Sequence, residues 1–390
     1  VKQYSDFVEH PVVMDITRQE GGNQDGEEAT TAVTEETLNS MKAIWSRPKD
    51  DVTAEEHNEF YKHVSHDFVD PLKVLHWSVE GTTEFRALLY LPAKAPFDLH
   101  TPDTRHRGIH LYVKRIFITD NCEALIPPYL RFLRGVVDSS DLPLNVSRET
   151  LQEERVIRII RKNLVKKVLD TLKEMLDQDR DAYKTFWGEF GRVIKEGMHV
   201  DFENREKLQD LLLFDSTKSE SGEPTTLKDY VERMGKDQKA IYVITGENRG
   251  ALVNSPLLEA FRKRDIEVLM LTDPIDEWVV QALTTYADKP VKSVAKGEID
   301  LEDAEEVKEE KEKVEKKYEA LVKFLEDALK DKVKNIRISR RLTDSACCLV
   351  ADEHDMGVQM EKILKAMHHD IPQSKRILEV NPDHALLQSM

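Results

Sequence analysis

Apolar residues first gather at residues 11–18, where they favour a strand, and give way to a polar, Gly-containing stretch at 21–39 read as a mobile hairpin tip. Thr53-Ala54-Glu55-Glu56 is a capping box that opens a helix to about His63. Residues 73–80 and 84–91 are β-rich and flank Gly81-Thr82-Thr83, a hairpin signal, and 109–119 reads as one further strand. Together they predict a mostly antiparallel sheet with helices. Val156, Ile160, Leu164, Val168, Leu172 and Met175 then recur every three to four residues, predicting a long helix over 151–176. More helix is expected around Trp187 and Leu211.

Farther on, strands at 240–245 and 266–271 alternate with helices at 251–264 and 274–286, a small βαβα unit expected to be parallel with a right-handed crossover. Residues 296–317 are almost wholly Glu, Asp and Lys, a solvated helix entering a new domain. Leu321, Phe324, Leu325, Ala328 and Leu329 restore helical spacing, followed by strands at 333–338, 347–351 and 376–380 and a helix at 354–367. The expected fold class is therefore multidomain α+β and α/β. A large α/β part covers 1–150, a helical connector 151–200, a small α/β part 201–295 and a truncated α+β domain 300–390.

Length supports this division, since 390 residues are too many for one core. With 57 basic against 74 acidic residues the net charge is −17, which speaks against duplex nucleic acid as a main partner. No apolar stretch reaches the roughly 18 residues of a membrane span. Three cysteines, Cys122, Cys347 and Cys348, do not make a disulfide framework, so a reducing, cytoplasmic setting is expected. The chain opens on Val1 and stops within an apolar pattern, so it is expected to be an internal piece of a longer protein.

Catalytic signatures are sparse: no GxGxxG, Walker lysine loop, HExxH, GxSxG or CxxC occurs. The turn Gly246-Glu247-Asn248-Arg249-Gly250 sits where phosphates bind in doubly wound folds, but its glycine spacing is wrong and Glu247 would face the anion. His57, His63 and His66, and separately His100, His106 and His110, cluster without the tight spacing and cysteines zinc favours. Arg155, Arg158, Arg161, Lys162, Lys166 and Lys167 form a basic helix face without interleaved aromatics, more in keeping with a solvated or docking face than with nucleic acid.

Residues 139–152 are the most informative. Pro143 and Asn145 make a turn, and Ser147 or Thr150 can cap the next helix; with Ser147 as the cap, Arg148 takes the first helical position. A cation there opposes the helix dipole, and such a start can present a guanidinium to phosphate. Gln152 follows four residues later on the same face. On spacing alone an ordinary surface arginine remains the simpler account. Met356, Met360, Ile363, Leu364 and Met367 share one helical stripe, pliable enough for a promiscuous surface or simply core-facing. Trp278 poses the same choice.

The run Leu142-Pro143-Leu144-Asn145-Val146-Ser147-Arg148-Glu149 resembles the 90-kDa heat-shock protein family of the bacterial HtpG type. Residues 61–68, 129–138, 271–278 and 381–384 resemble that family too, in its order. The resemblance implies a middle domain to about residue 295 and the start of a C-terminal domain after it. It implies a stress-response chaperone that hydrolyses ATP with Mg, bound mainly in an N-terminal domain outside this chain, so the chain alone would hold no cofactor. Arg148 would reach the γ-phosphate, with Gln152 as a second contact. Trp278, Met356, Met360 and Leu364 would meet non-native client proteins. The implied partners are those clients, the N-terminal ATPase domain, a DnaK-type chaperone and a second copy in a homodimer; nucleic acid and membrane are not among them. A self-contained nucleotide-binding enzyme and a nucleic-acid module on 155–167 are the competing readings. Because the family's dimer helices follow the Asn381-Pro382-Asp383-His384 segment, a monomer or a weak non-native association is expected. Light scattering should return a mass near that of one chain, and a tight dimer at low concentration would contradict this.

Overall fold

The computed structural model describes residues 5–20, 30–97, 99, 101, 108–142, 155–220, 222–299, 301, 306–368 and 374–389. The chain divides into two compact units, Val1–Phe190 and Gly191–Met390.

In the first unit, β1 (Val13–Glu20) pairs antiparallel with β2 (Thr30–Thr37). Part of the stretch expected to be hairpin tip is thus the returning strand; its Thr and Glu residues lack the apolar alternation that marks a strand. Helix α1 (Ala54–Ser65) starts as expected, with Thr53 accepting from the Glu56 amide and Glu56 accepting from the Thr53 amide. A five-stranded sheet follows: β3 (Lys73–Val79), β4 (Phe85–Leu91), β5 (Ile109–Val113), β6 (Ile116–Thr119) and β7 (Arg134–Ser139), in the order β3-β4-β7-β5-β6. All neighbours are antiparallel except β5 and β7. The single strand expected at 109–119 is a hairpin. Its turn holds Lys114 and Arg115 in the left-handed region (φ 51° and 61°), positions Asn-Gly normally fills, so no turn signal is written there.

One sheet face carries Leu88, Tyr90, Tyr112 and Val136 into a cluster with Trp45 and Tyr61. Residues of opposite parity, Leu89, Leu91, Leu111 and Val137, are buried as well, so the sheet is covered on both faces. Gly135 is required in the central strand: at φ 135° a Cβ would stand 2.1 Å from the Leu88 carbonyl oxygen. Helix α2 (Arg155–Gln178) buries Ile157, Ile160, Leu164, Val168, Leu172 and Met175, following its periodicity. Helix α3 (Arg180–Val200) packs Phe186 and Phe190 on Phe132.

The second unit contains α4 (Arg205–Gln209), β8 (Leu213–Ser216), β9 (Thr225–Thr226), α5 (Leu227–Arg233), β10 (Ile241–Thr245), α6 (Arg249–Val253), α7 (Glu259–Lys263), β11 (Leu269–Leu271), α8 (Asp276–Ala282), β12 (Thr285–Tyr286) and β13 (Lys289–Ser293). The expected parallel pairing of β10 with β11 is present, and β13 adds to β10 in parallel. The helix expected at 251–264 is broken, because Pro256 forces a 3-10 turn between α6 and α7. The helix expected at 274–286 ends at Ala282, since Thr285 and Tyr286 pair with β13.

Then come α9 (Glu306–Leu329), β14 (Val333–Ile338), β15 (Cys347–Val350), α10 (Val358–Ala366), β16 (Arg376–Val380) and α11 (Ala385–Gln388), the three strands in the order β14-β16-β15. Leu321, Leu325 and Leu329 of α9 pack on Val333, Ile336, Val380 and Leu387, whereas Phe324 stays exposed.

Charged side chains pin these last strands to the small α/β part of the same unit. Arg341, 1% exposed, binds both carboxylate oxygens of Glu379 and donates to the carbonyls of Val294 and Gly297. Arg337 pairs with the same Glu379 at 2.7 Å. Glu259 accepts from the amides of Thr343, Asp344 and Ser345 and from the Ser345 hydroxyl. Burial pushes its pKa up, but these four donors outweigh it and hold the carboxyl below the ordinary range.

Breaking such a buried pair leaves an uncompensated charge, so Arg341→Ala should lose about 3–5 kcal/mol. Lys334→Ala, which breaks a half-exposed pair with Asp352, should change stability far less. Urea unfolding of the two variants checks the contrast.

Candidate functional site

Arg148 and Gln152 lie outside the described residues, but the ends of their segment are fixed. On one side Ser139 closes β7, its hydroxyl donating to the Glu84 carbonyl while Asp141 accepts from the Glu84 amide, and Leu142 is 2% exposed. On the other, α2 starts at Arg155 and is anchored by buried Ile157. Beside the first anchor opens a cleft of about 610 Å³, lined by Glu80, Glu84, Arg86, Lys114, Arg115 and Ser140 among others. Asp138 at its base is already engaged, accepting from the Trp45 indole at 3.0 Å and from the Arg115 amide at 3.2 Å.

The basic face of α2 is present. Arg155, Arg158, Lys162, Lys166 and Lys167 are exposed, and Arg161 is half-buried.

Trp278 is half-buried on α8, next to Asp276 and Glu277, which are both buried. Sequence reasoning passed over Asp273 and Asp276 and their shared partner, Lys195 of α3. Lys195 is 5% exposed and pairs with Asp273 at 2.7 Å and Asp276 at 2.8 Å. Burial raises Asp276 above the usual carboxylate range despite the pull of Lys195. For Asp273 burial acts the same way, but Lys195 and Arg192 outweigh it and lower the value. The Asp273/Asp276 spacing, with each carboxylate reaching one lysine, was the signal available.

The stripe around Met356 differs from expectation. Met356 precedes the helix, Met360 is buried at 5% exposure, and Leu364 is half-buried. The helix is shorter than 354–367 because Gly357 is its N-cap. Glu361, expected on a polar face, is buried and pairs with Arg376 at 2.6 Å. The structure does bring α8 and the start of α10 together: a Cβ added at Gly357 would meet Glu277 Oε2 at 3.2 Å.

The turn at Gly246 does not fit a phosphate. Asn248 caps α6, Arg249 donates to the carbonyls of Ser216 and Ser219, and Glu247 pairs with Lys362 at 2.7 Å. A Cβ at Gly246 would stand 2.4 Å from Leu252, so the glycine serves packing. Among the described residues no group of His, Cys, Asp and Glu is arranged to hold a metal ion. His57 instead packs edge-on to His76 (ring centroids 5.5 Å) and faces the Tyr90 hydroxyl at 3.4 Å. Likewise no helix among the described residues is long and apolar enough to cross a membrane.

Comparison with known proteins decides what these parts belong to. The profile described as Hsp90 protein matches residues 18–390. The chain belongs to the Hsp90 protein family. It is 58% identical over 399 residues to the chaperone protein HtpG of Geobacter metallireducens, covering all of this chain and 61% of that protein. It is 49% identical over 396 residues to the chaperone protein HtpG of Mycobacterium tuberculosis, again covering 61% of it. The chain therefore spans about three fifths of the length of the curated relatives it matches. A solved middle domain of a Plasmodium falciparum heat shock protein is 36% identical, with a TM-score of 0.58, and covers 64% of this chain and 98% of that one. Over that 64% the mixed α/β architecture is similar to the solved Hsp90 middle domain.

Burial lowers the proton affinity of His57 and His76; the His76 imidazole lowers that of His57 further, and Lys49 lowers that of His76 against the opposing hydrogen bond to the Trp45 carbonyl. The unfolded chain then takes up protons first as pH falls below about 6.5. Stability is full above that value and is lost below it, by at most about 1.4 kcal/mol per pH unit for each proton. Urea midpoints between pH 7 and 5 should show the decline, and replacing both histidines by Gln should flatten it.

Proposed function

We propose that this chain is the middle segment, with part of the C-terminal segment, of an ATP-driven molecular chaperone. The observation that carries the reading is 58% identity, along the whole chain, to a protein named as a chaperone. The proposed layout is a large α/β part over 1–150, a helical connector over 151–200, a small α/β part over 201–295 and a C-terminal part over 300–390. The partners are non-native clients, the family's N-terminal ATPase domain, a DnaK-type chaperone and a second copy, in the cytoplasm.

Arg148 is the residue that serves ATP hydrolysis, with Gln152 beside it. ATP and Mg, held in the N-terminal domain, supply the phosphate chemistry. A guanidinium brought to that phosphate offsets the negative charge that builds on the transferring group. The rigid anchors at Leu142 and Ile157 support this reading, since they fix both ends of the segment that carries the arginine. The described residues offer no phosphate cradle at Gly246, so the chain by itself is expected to be inactive.

Trp278, Met356 and Leu364 form the client surface, with Met360 buried directly beneath it at 5% exposure. Adaptable Met and a half-buried indole suit the varied apolar segments that unfolded proteins expose. The closeness of Glu277 to Gly357 supports treating Trp278 and Met356 as one patch.

Adding an isolated N-terminal ATPase domain of the family should raise hydrolysis, and Arg148→Ala should remove most of that gain, other trans-acting arginines being worth about 10³–10⁵ in rate. Steady-state phosphate release measures it. Equal rates with and without the substitution, at saturating chain, would remove the role from Arg148.

A further inference from the structure

Helix α8 is 7 residues long, and Val279 is the one apolar side chain within it that is fully buried; buried Leu283 follows its end. So short an element gains little orientation from packing, and its first turn is held by charge instead. Lys195 of α3 is 5% exposed. Its ammonium donates to Asp273 Oδ2 at 2.7 Å and stands 2.8 Å from Asp276 Oδ1, with the Phe214 ring centre 5.4 Å away. Asp276 uses its other oxygen to accept from the Asp273 amide at 2.9 Å, and the Asp276 amide donates back to the Asp273 carbonyl. Arg192 holds the remaining Asp273 oxygen at 2.9 Å. The turn from Asp273 to Asp276 is thus closed on itself and tied to one lysine.

That closure decides where Trp278 stands. Two residues along a helix rotate the side-chain direction by about 200°. With Asp276 drawn inward to Lys195, Trp278 therefore lies on the opposite face of α8. The Trp278 amide donates to the Ile275 carbonyl at 3.0 Å, so the indole follows the turn that the lysine holds. Apolar contacts tolerate some rotation of a short helix, whereas a buried ion pair loses its partner if the helix turns. Buried pairs of this kind add little net stability over neutral groups of similar volume. What this one adds is a fixed geometry.

We propose that Lys195 is a positioning residue for client binding: through Asp276 it holds α8 in the rotation that presents Trp278. This rests on the client reading above. Because Lys195 acts through Trp278, its contribution disappears when the indole is absent.

The test, on the whole chain, separates geometry from stability. Lys195→Met leaves the Asp276 carboxylate buried without a cation, so this variant unfolds more easily. Adding Asp276→Asn removes that charge and should return the urea midpoint close to the parent's, since Asp273 keeps Arg192. Affinity for reduced, carboxymethylated α-lactalbumin, an unfolded probe, should nevertheless stay about fivefold to tenfold weaker in this double variant, as expected for a misplaced aromatic anchor. Asp276→Asn alone leaves Lys195 paired with Asp273 and should lose part of that affinity. With 5-fluorotryptophan incorporated, the Trp278 fluorine resonance, assigned by Trp278→Phe, should shift in both variants while that of Trp45 stays in place. Full probe affinity in either folded variant would overturn the proposal, as would the same further loss in a Trp278→Ala background. If Trp278→Ala itself binds the probe as the parent does, the client reading fails instead.

Discussion

A charge taken out of water must find an opposite charge or several hydrogen bonds, and the second unit is organised around that demand. Arg341 meets it with Glu379 and two backbone carbonyls, Glu259 with four donors from one loop, and Lys195 with two aspartates. Each of these groups ties elements far apart in sequence. A pair such as Glu259 and Ser345 fixes the β14–β15 connection to α7 in one geometry, because a shift would leave buried charge unpaired. Buried apolar contacts supply most of the stability in such a chain, but they tolerate sliding, and these ionic joints do not.

Much of the local structure is legible in the sequence where one physical signal dominates. The Thr53–Glu56 box writes the start of α1, and the three-to-four residue spacing from Ile160 to Met175 writes the buried face of α2. Legibility fails where the signal is tertiary. Lys114 and Arg115 turn the β5–β6 hairpin with no turn residue present, and β2 is a strand without apolar alternation. Pro256 is visible, but that it splits a helix in two rather than starting one is decided by packing.

The candidate site shows the same division. The family's run at residues 142–149 names Arg148 from sequence, while nothing in the spacing tells whether Met360 faces water. It faces inward, and Glu361 beside it is buried on Arg376. The Asp273/Asp276 spacing was visible near Trp278, but its meaning depends on Lys195, some eighty residues earlier. Sequence resemblance thus identifies the parts, and burial and charge pairing indicate which of them are held and which are free to move.

The account's central claim is that Arg148, delivered on a segment anchored at Leu142 and Ile157, serves a nucleotide bound by another domain. The most direct measurement is a structure of this chain joined to the family's N-terminal domain with a non-hydrolysable ATP analogue. The account predicts the Arg148 guanidinium within hydrogen-bond distance, about 3 Å, of the terminal phosphate. An Arg148 enclosed by its own unit and turned away from the nucleotide would contradict it.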